Sequence, residues 1–351
     1  MDEPTASASP VRATLQDIAD ACGVTRATAS RALSGAPGVG VAARARIIAA
    51  AGQLGYRPNR VAQGLRNRQS HLVGLILTNL VNASFQKMTE VMQERLDAAG
   101  YHTILTVSGG RLDQEERQLS MLLERQADGI VMLGSDGLIP LSPLARQAPV
   151  PIVNLVRRLD PQPADSVLAR DREGAYQATS YLIGLGHSRI ALIVGKRDTH
   201  EGNERRAGYL LALKDAGVGP DPSIVVEGAY APETGTGAIR HLFDQADKPP
   251  TALLIANHEA AFGALPALSE RRIQIPEQVS VIVYEDAPWF AYWAPPLTVV
   301  DNQPAVMAEA AISMLLARLQ QPAATVGTAD EGAPRLLVRS SCGGPPDARR
   351  D

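Results

Sequence analysis

From Leu72 onward the chain alternates between two kinds of segment, and that alternation leaves few folds open to it. Short, almost wholly apolar runs, LVGLIL (72–77), HTILTV (102–107), GIVMLG (129–134), PIVNLV (151–156), RIALIV (189–194), TALLIA (251–256) and VSVIVY (279–284), are separated by stretches of helical periodicity. Those stretches lie near 84–99, 114–125, 172–185, 203–216, 234–246 and 258–271. A strand that is apolar on both faces must be covered on both. Intervening helices supply that cover, which predicts parallel sheets of the doubly wound α/β type. Two such sets predict two lobes, with ligands held at the carboxyl ends of the strands. At 351 residues, 45% of them apolar, the chain exceeds one ordinary domain and can bury large cores.

The segment ahead of these lobes is different. TLQDIADACGVTRATASRAL (14–33) reads as helix, tight turn, helix. Leu15, Ile18, Ala19 and Cys22 form an apolar stripe at helical spacing. Gly23 falls at the turn, where a residue without Cβ is at ease, and Thr25 is placed to cap a second helix. That helix carries Arg26, Thr28, Ser30 and Arg31, side chains suited to a DNA major groove. A third helix near 42–54 would pack through Ile47, Ile48, Ala51 and Leu54, with Gly40 as a weak cap. Charge supports the reading. Val11 to Arg68 holds nine arginines, no lysine and two aspartates, a formal +7, whereas the whole chain is −3 and the remainder therefore −10. A cationic module on an acidic body is the footprint of a phosphate-backbone binder.

Other classes find little support. There is no nucleophile elbow, no HExxH and no phosphate-cradling GxxxxGK[ST] loop, and the six histidines are scattered, so neither an enzyme nor a metal or other cofactor is expected. His187, in the LGH turn before a strand, is expected to be a structural hydrogen-bonder. Two distant cysteines, Cys22 and Cys342, suit a reducing cytoplasm. No apolar run of about 18 residues and no signal-peptide pattern occur, so no membrane association is expected.

The order T-L-x-D-I-A-x-x-C-G-V-T-x-x-T-x-S-R-x-L, followed by L-G-Y-R-P-N-x-x-A-x-x-L-R, resembles the LacI/GalR family of bacterial transcriptional regulators. Later blocks extend the resemblance over almost the whole chain: REGAYQATSYLIGLGHSRIALIVG (172–195), ERRAGYLLAL (204–213), PTALLIANHEAAFGAL (250–265), IPEQVSVIVYED (275–286) and PPLTVV (295–300). It implies an all-α helix-turn-helix module (11–57) behind a disordered 1–10, a hinge helix or linker (58–69), and a core of two lobes like type I periplasmic binding proteins. The N-terminal lobe would comprise 70–168 and 301–323, the C-terminal lobe 169–300 and 324–342, with crossings near Ala169, Val300 and Ala324 and a disordered tail at 343–351.

The resemblance also implies roles. Thr14, Thr25, Arg26, Ala27, Thr28, Ser30 and Arg31 would contact DNA, with Arg26, Ala27 and Arg31 reading bases. Asn59, Arg60, Ala62 and Leu65 would do so from the hinge, Leu65 wedging into the minor groove. Asn79, Phe85, Arg170, Asn203, Arg205, Tyr230, Asn257 and Glu285 would line an effector site between the lobes. The chain departs from the family at Val156, Arg170 and His258, where carboxylates are common, so carboxylates expected in or near the cleft are lost or replaced. The expected function is a homodimeric repressor of a palindromic DNA operator, controlled by a small carbohydrate-like effector. If Arg170 faces the cleft, the effector is a sugar acid or sugar phosphate instead, since a guanidinium binds such groups bidentately. A solute-binding protein that ignores DNA is the remaining alternative.

Overall fold

The computed structural model describes residues 13–56, 69–133, 142–156, 165–197, 199–321, 327–330 and 332–346. The chain divides into two compact units, Met1–Ser70 and His71–Asp351.

In the first unit, α1 (Leu15–Cys22), α2 (Arg26–Leu33) and α3 (Val41–Gln53) enclose Ile18, Ala19, Cys22, Ala29, Ala32, Ile47 and Ala51. The local chemistry sets the helix boundaries. Thr14 and Asp17 form a reciprocal capping box at the start of α1. Gly23 ends α1 with φ at +61°, and the Thr25 hydroxyl caps α2 by accepting from Thr28 N–H. Gly40 begins α3 without a side-chain cap. Only part of the expected α3 face is inward: Ile48 and Leu54 are 53% and 43% exposed, because the small three-helix core is filled by Ile47 and Ala51. The hinge segment, with Asn59, Arg60, Ala62 and Leu65, lies outside the described residues.

The second unit holds two six-stranded sheets. The first has the order β11-β5-β4-β3-β1-β2 and the second β12-β10-β9-β8-β6-β7. The strands of the first are β1 (Leu72–Leu77), β2 (His102–Val107), β3 (Gly129–Met132), β4 (Ile152–Leu155), β5 (Asp165–Leu168) and β11 (Thr328–Asp330). Those of the second are β6 (Ile190–Gly195), β7 (Val225–Gly228), β8 (Ala252–Ile255), β9 (Ser280–Tyr284), β10 (Thr298–Asp301) and β12 (Arg335–Leu337). All neighbours run parallel except β12, which is antiparallel to β10. Each sheet is covered on both faces, as strands apolar on both sides require. On β1, Val73, Leu75 and Leu77 face a core shared with α4 (Ala83–Ala98) and α11 (Pro304–Gln320), and Ile76 faces Leu119 and Leu122 of α5 (Leu112–Glu124). The short α6 spans Pro143–Arg146.

The second sheet packs α7 (Asp171–Gly184) and α8 (His200–Asp215) on one face, α9 (Pro232–Arg240) and α10 (His258–Glu270) on the other. The α9–α10 crossing is so close that a Cβ on Gly263 would collide with the Pro232 carbonyl oxygen. Such an approach admits only glycine.

The architecture agrees with the expected helical module plus two doubly wound lobes. The lobe boundaries need two corrections. The chain crosses between sheets after β5 and after β10, but the third crossing falls between β11 and β12 rather than at Ala324, because β11 pairs with β5 of the first sheet. Of the tail expected to be disordered, residues 343–346 are ordered, and 347–351 lie outside the described residues, as do 1–12. Gly343 donates to Ser280 Oγ (3.0 Å), and its carbonyl lies 2.8 Å from Nε2 of buried His187. His187 Nδ1 pairs with Thr251 Oγ1 at 2.9 Å, a structural role.

Candidate functional site

In the helical module, α2 exposes Arg26, Ala27 and Arg31, with Thr28 and Ser30 half-buried. Neither Arg26 nor Arg31 makes an ion pair among the described residues. Other members of the positive set are used internally: Arg46 donates to the Cys22 carbonyl (3.3 Å) and Arg44 to that of Ala36. The Thr14 and Thr25 hydroxyls serve as helix caps, and Thr25 Oγ1 also lies 2.9 Å from Thr28 Oγ1.

In the core, a cavity of about 290 Å³ opens between the two sheets at the carboxyl ends of their strands. Strand geometry places its walls. Val156 follows β4 and Glu285 follows β9, and both take left-handed backbone, φ +72° and +67°. Each is held there by a ladder bond of 2.8 Å, Val156 N–H to Val167 O and Glu285 N–H to Val300 O. Such conformations cost of order 1 kcal/mol or more for non-glycine residues and cluster at functional sites. Here they turn two side chains into one cleft.

The polar heart of the cavity is Arg205, on α8 and only 2% exposed. Its Nε donates to Asp171 Oδ1 at 2.8 Å, Nη1 donates to the Ala256 carbonyl, and Nη2 lies 3.9 Å from Glu285 Oε1. Its guanidinium stands 4.4 Å from the Tyr284 ring centre and 5.8 Å from that of Tyr230. Burial works against its charge, but Asp171 and Glu285 hold its pKa well above the ordinary value.

Glu285 accepts from Nδ1 of buried His258. Burial would raise the Glu285 pKa, yet His258 and Arg205 keep it below the usual carboxylate range. Burial would lower that of His258, and Glu285 raises it above the ordinary imidazole value. Each partner thus favours the charged form of the other. Glu259 is different: burial pushes its pKa up. Two buried polar atoms have no hydrogen-bond partner among the described residues and belong to this neighbourhood, the Tyr230 hydroxyl and His258 Nε2.

Six of the eight residues expected at an effector site, Asn79, Phe85, Arg205, Tyr230, Asn257 and Glu285, line this one cavity. Two do not. Arg170 is half-exposed and pairs with Glu173 at 3.6 Å, one helical turn on, instead of entering the cleft. Asn203 donates its amide to the Arg197 carbonyl (2.8 Å). The replacements at Val156, Arg170 and His258 do not leave the cleft without acids, since Glu201, Glu259 and Glu285 all line it. Sequence reasoning misses Glu201, Glu259 and Asn82. Their signal is position: Asn82 caps α4, while Glu201 and Glu259 stand in the first turns of α8 and α10, which open at strand ends. Asn257 accepts from Ala260 N–H through Oδ1, and its NH₂ group has no hydrogen bond among the described residues.

Among the described residues no cluster of His, Cys, Asp or Glu could hold a metal ion, and no helix is long and apolar enough to cross a membrane.

Similarity to known proteins agrees with both units. The model of bacterial regulatory proteins of the lacI family matches residues 14–59, and that of the periplasmic binding protein-like domain matches 179–342. The HTH-type transcriptional repressor PurR of Vibrio atlanticus is 31% identical over 309 residues, covering 88% of this chain and 92% of the relative. The ribose operon repressor of Escherichia coli K12 is 29% identical over 312 residues, covering 88% and 94%. Among solved structures, the Lac repressor dimer bound to operator and the anti-inducer ONPF aligns with a TM-score of 0.83 at 26% identity, covering 94% of this chain and 99% of that one. The transcriptional regulator CelR–cellobiose complex aligns at 0.70 and 28%, covering 94% and 100%. The chain thus belongs to the LacI family of bacterial regulatory proteins, DNA-binding transcriptional repressors with a ligand-binding core.

Proposed function

We propose that this repressor is released from, or held on, its operator by a small, neutral, hydroxyl-rich effector bound in the cavity between the core lobes. The observation that carries the reading is the convergence of Phe85 and Tyr230 with Arg205, Asn257, Glu259 and Glu285 on one cavity. Aromatic faces cover the apolar side of a sugar ring, and fixed amides and carboxylates meet its hydroxyl edge. The names of two relatives agree, a ribose operon repressor and a regulator in complex with cellobiose. An anionic effector is disfavoured. Arg205 is matched by Asp171 and Glu285, three carboxylates line the cavity, and Arg170 is outside it.

On the DNA side, Arg26, Ala27 and Arg31 read base edges, and Thr14, Thr25, Thr28 and Ser30 hold phosphates or the helix itself. A homodimer in the cytoplasm presents two such helices to a palindromic site, and Leu65 wedges the minor groove between the half-sites. Ligand in the cavity acts by binding one lobe arrangement better than the other.

A thermal-shift panel of neutral sugars against sugar acids and sugar phosphates tests the effector. A ligand at ~100 times its Kd stabilises the fold by about 2.7 kcal/mol, a visible shift. A hit among neutral sugars is the expected result; hits confined to anionic ligands overturn the reading. Duplexes selected from a random pool should be palindromic, and their binding should weaken steeply with salt.

A further inference from the structure

We propose that Asn79 and Asn82 are positioning residues whose side-chain amides cross from the first lobe to orient Glu259 and Glu285 on the second. The effector site is then complete only when the lobes are apposed. This inference rests on the reading of the cavity as the effector site.

Both asparagines sit in the turn between β1 and α4, and both divide their side chains in the same way. Asn79 Oδ1 accepts from the backbone N–H of Val81 (3.0 Å) and of Asn82 (2.9 Å). Its Nδ2 donates across the cleft to Glu259 Oε1 at 3.1 Å. Asn82 Oδ1 caps α4 by accepting from Phe85 N–H (3.1 Å), and its Nδ2 lies 3.4 Å from Glu285 Oε2. The carbonyl halves thus shape the turn locally, and the NH₂ halves face the second lobe. Asn79 therefore serves the site mainly by holding Glu259, since both halves of its amide are already engaged.

The carboxylates need these donors. Glu259 is partly buried, and burial disfavours its charged form; the asparagine amides oppose that. Parting the lobes would strip an acceptor of its partner, at the desolvation cost of an unpaired charged group. Phe85, in the first turn of the helix that Asn82 caps, lines the same cavity. An effector whose hydroxyls donate to Glu259 or Glu285 joins or replaces these bonds. It thereby biases the lobe arrangement directly, which is the differential interaction a conformational response requires.

The test is a double-mutant cycle on the full-length protein with no effector added. Asn79→Asp keeps Oδ1 for the turn but sets an oxygen against Glu259 where an NH₂ stood. Glu259→Gln supplies a donor that can answer the introduced carboxylate. We expect N79D to lower the thermal midpoint by about 4 °C, E259Q alone to change it by about 1 °C or less, and the double variant to regain at least half of the N79D loss. Small-angle scattering should show a larger radius of gyration for N79D than for the double variant. An N79D protein that melts like wild type overturns the proposal, because the lobes then do not meet through this bond. A loss that E259Q does not relieve also overturns it, because the effect then belongs to the turn. With no effector in the cycle, a sugar panel without hits would sink the effector reading and leave this result standing on its own.

Discussion

The two lobes of the core are variations on one design, and their differences lie where they face each other. Val156 and Glu285 occupy equivalent places, one residue past the fourth strand of a wound sheet, in the same left-handed conformation and with the same ladder bond. One is aliphatic; the other is a carboxylate braced by His258 and Arg205. The first lobe brings Phe85 and the amides of Asn79 and Asn82 to the cavity, and among the described residues the charged side chains that line it, Glu201, Arg205, Glu259 and Glu285, come from the second. The first lobe has its own buried ion pair, Asp165 with Arg318 at 2.6 Å, but neither residue lines the cavity. The difference suggests a division of labour for the proposed effector site, with charged groups from the second lobe and an aromatic, amide-bearing cover from the first.

The sharpest way to break that comparison is Arg205→Met. It leaves Asp171 buried without its cation, and Glu285 with His258 alone, and should destabilise the chain by about 3–5 kcal/mol in urea unfolding. An exposed pair in the first lobe, such as Arg111–Asp113, should cost about 1 kcal/mol or less when broken. Loss of similar size in both would dissolve the distinction.

A smaller effect should come from pH. The His258 pKa is raised, so the stability it contributes is fully present below about 6.5, the ordinary imidazole value, and is lost as pH rises through its higher folded value. That of Glu285 is lowered, so its contribution is lost only as pH falls below the ordinary carboxylate range. Unfolding free energy should therefore fall as pH rises from about 6.5 through that higher value, and His258→Gln should flatten that fall. A profile that His258→Gln leaves unchanged would remove the pair from the account.

Smaller again is Tyr230→Phe. The Tyr230 hydroxyl is buried without a partner among the described residues, so its removal should leave stability unchanged or raise it by about 1 kcal/mol. Effector affinity should fall if that hydroxyl meets the ligand. A clear loss of stability would show that the hydroxyl already has a partner in the free protein. Arg170→Ala should be the mildest, within about 0.5 kcal/mol in stability and neutral for effector binding, since it breaks only an exposed helical pair.

Much of this design was legible in the sequence. The run LVGLIL became a strand with both faces buried, as its shortness and its place between helical stretches favour. Thr14, Gly23 and Thr25 marked helix ends because their side chains, or lack of one, satisfy orphan backbone groups. Other parts were hidden for physical reasons. The helix Pro304–Gln320 is apolar on most of its surface, packed against both the sheet and α4, so it shows little helical periodicity to read. The short strands β7, β10, β11 and β12 lack a distinctive run, and the position of β11 moved the third crossing. At the site, the sequence offered two arginines with neighbouring acids. Arg205 turns inward because Asp171 is buried beside it, whereas Arg170 finds Glu173 at the surface. Spacing along the chain does not distinguish those outcomes; packing does.

The most direct test of this division is a calorimetric titration of the sugar that stabilises the protein most in the panel, into wild type, Glu285→Gln and Val156→Ala. The account predicts a loss of affinity of about a hundredfold for Glu285→Gln, on the order of 2–3 kcal/mol for a buried charged hydrogen bond. Val156→Ala should lose less than about tenfold, the scale of a small apolar truncation. Equal losses at the two equivalent positions, or a Glu285→Gln protein that binds like wild type, would contradict it.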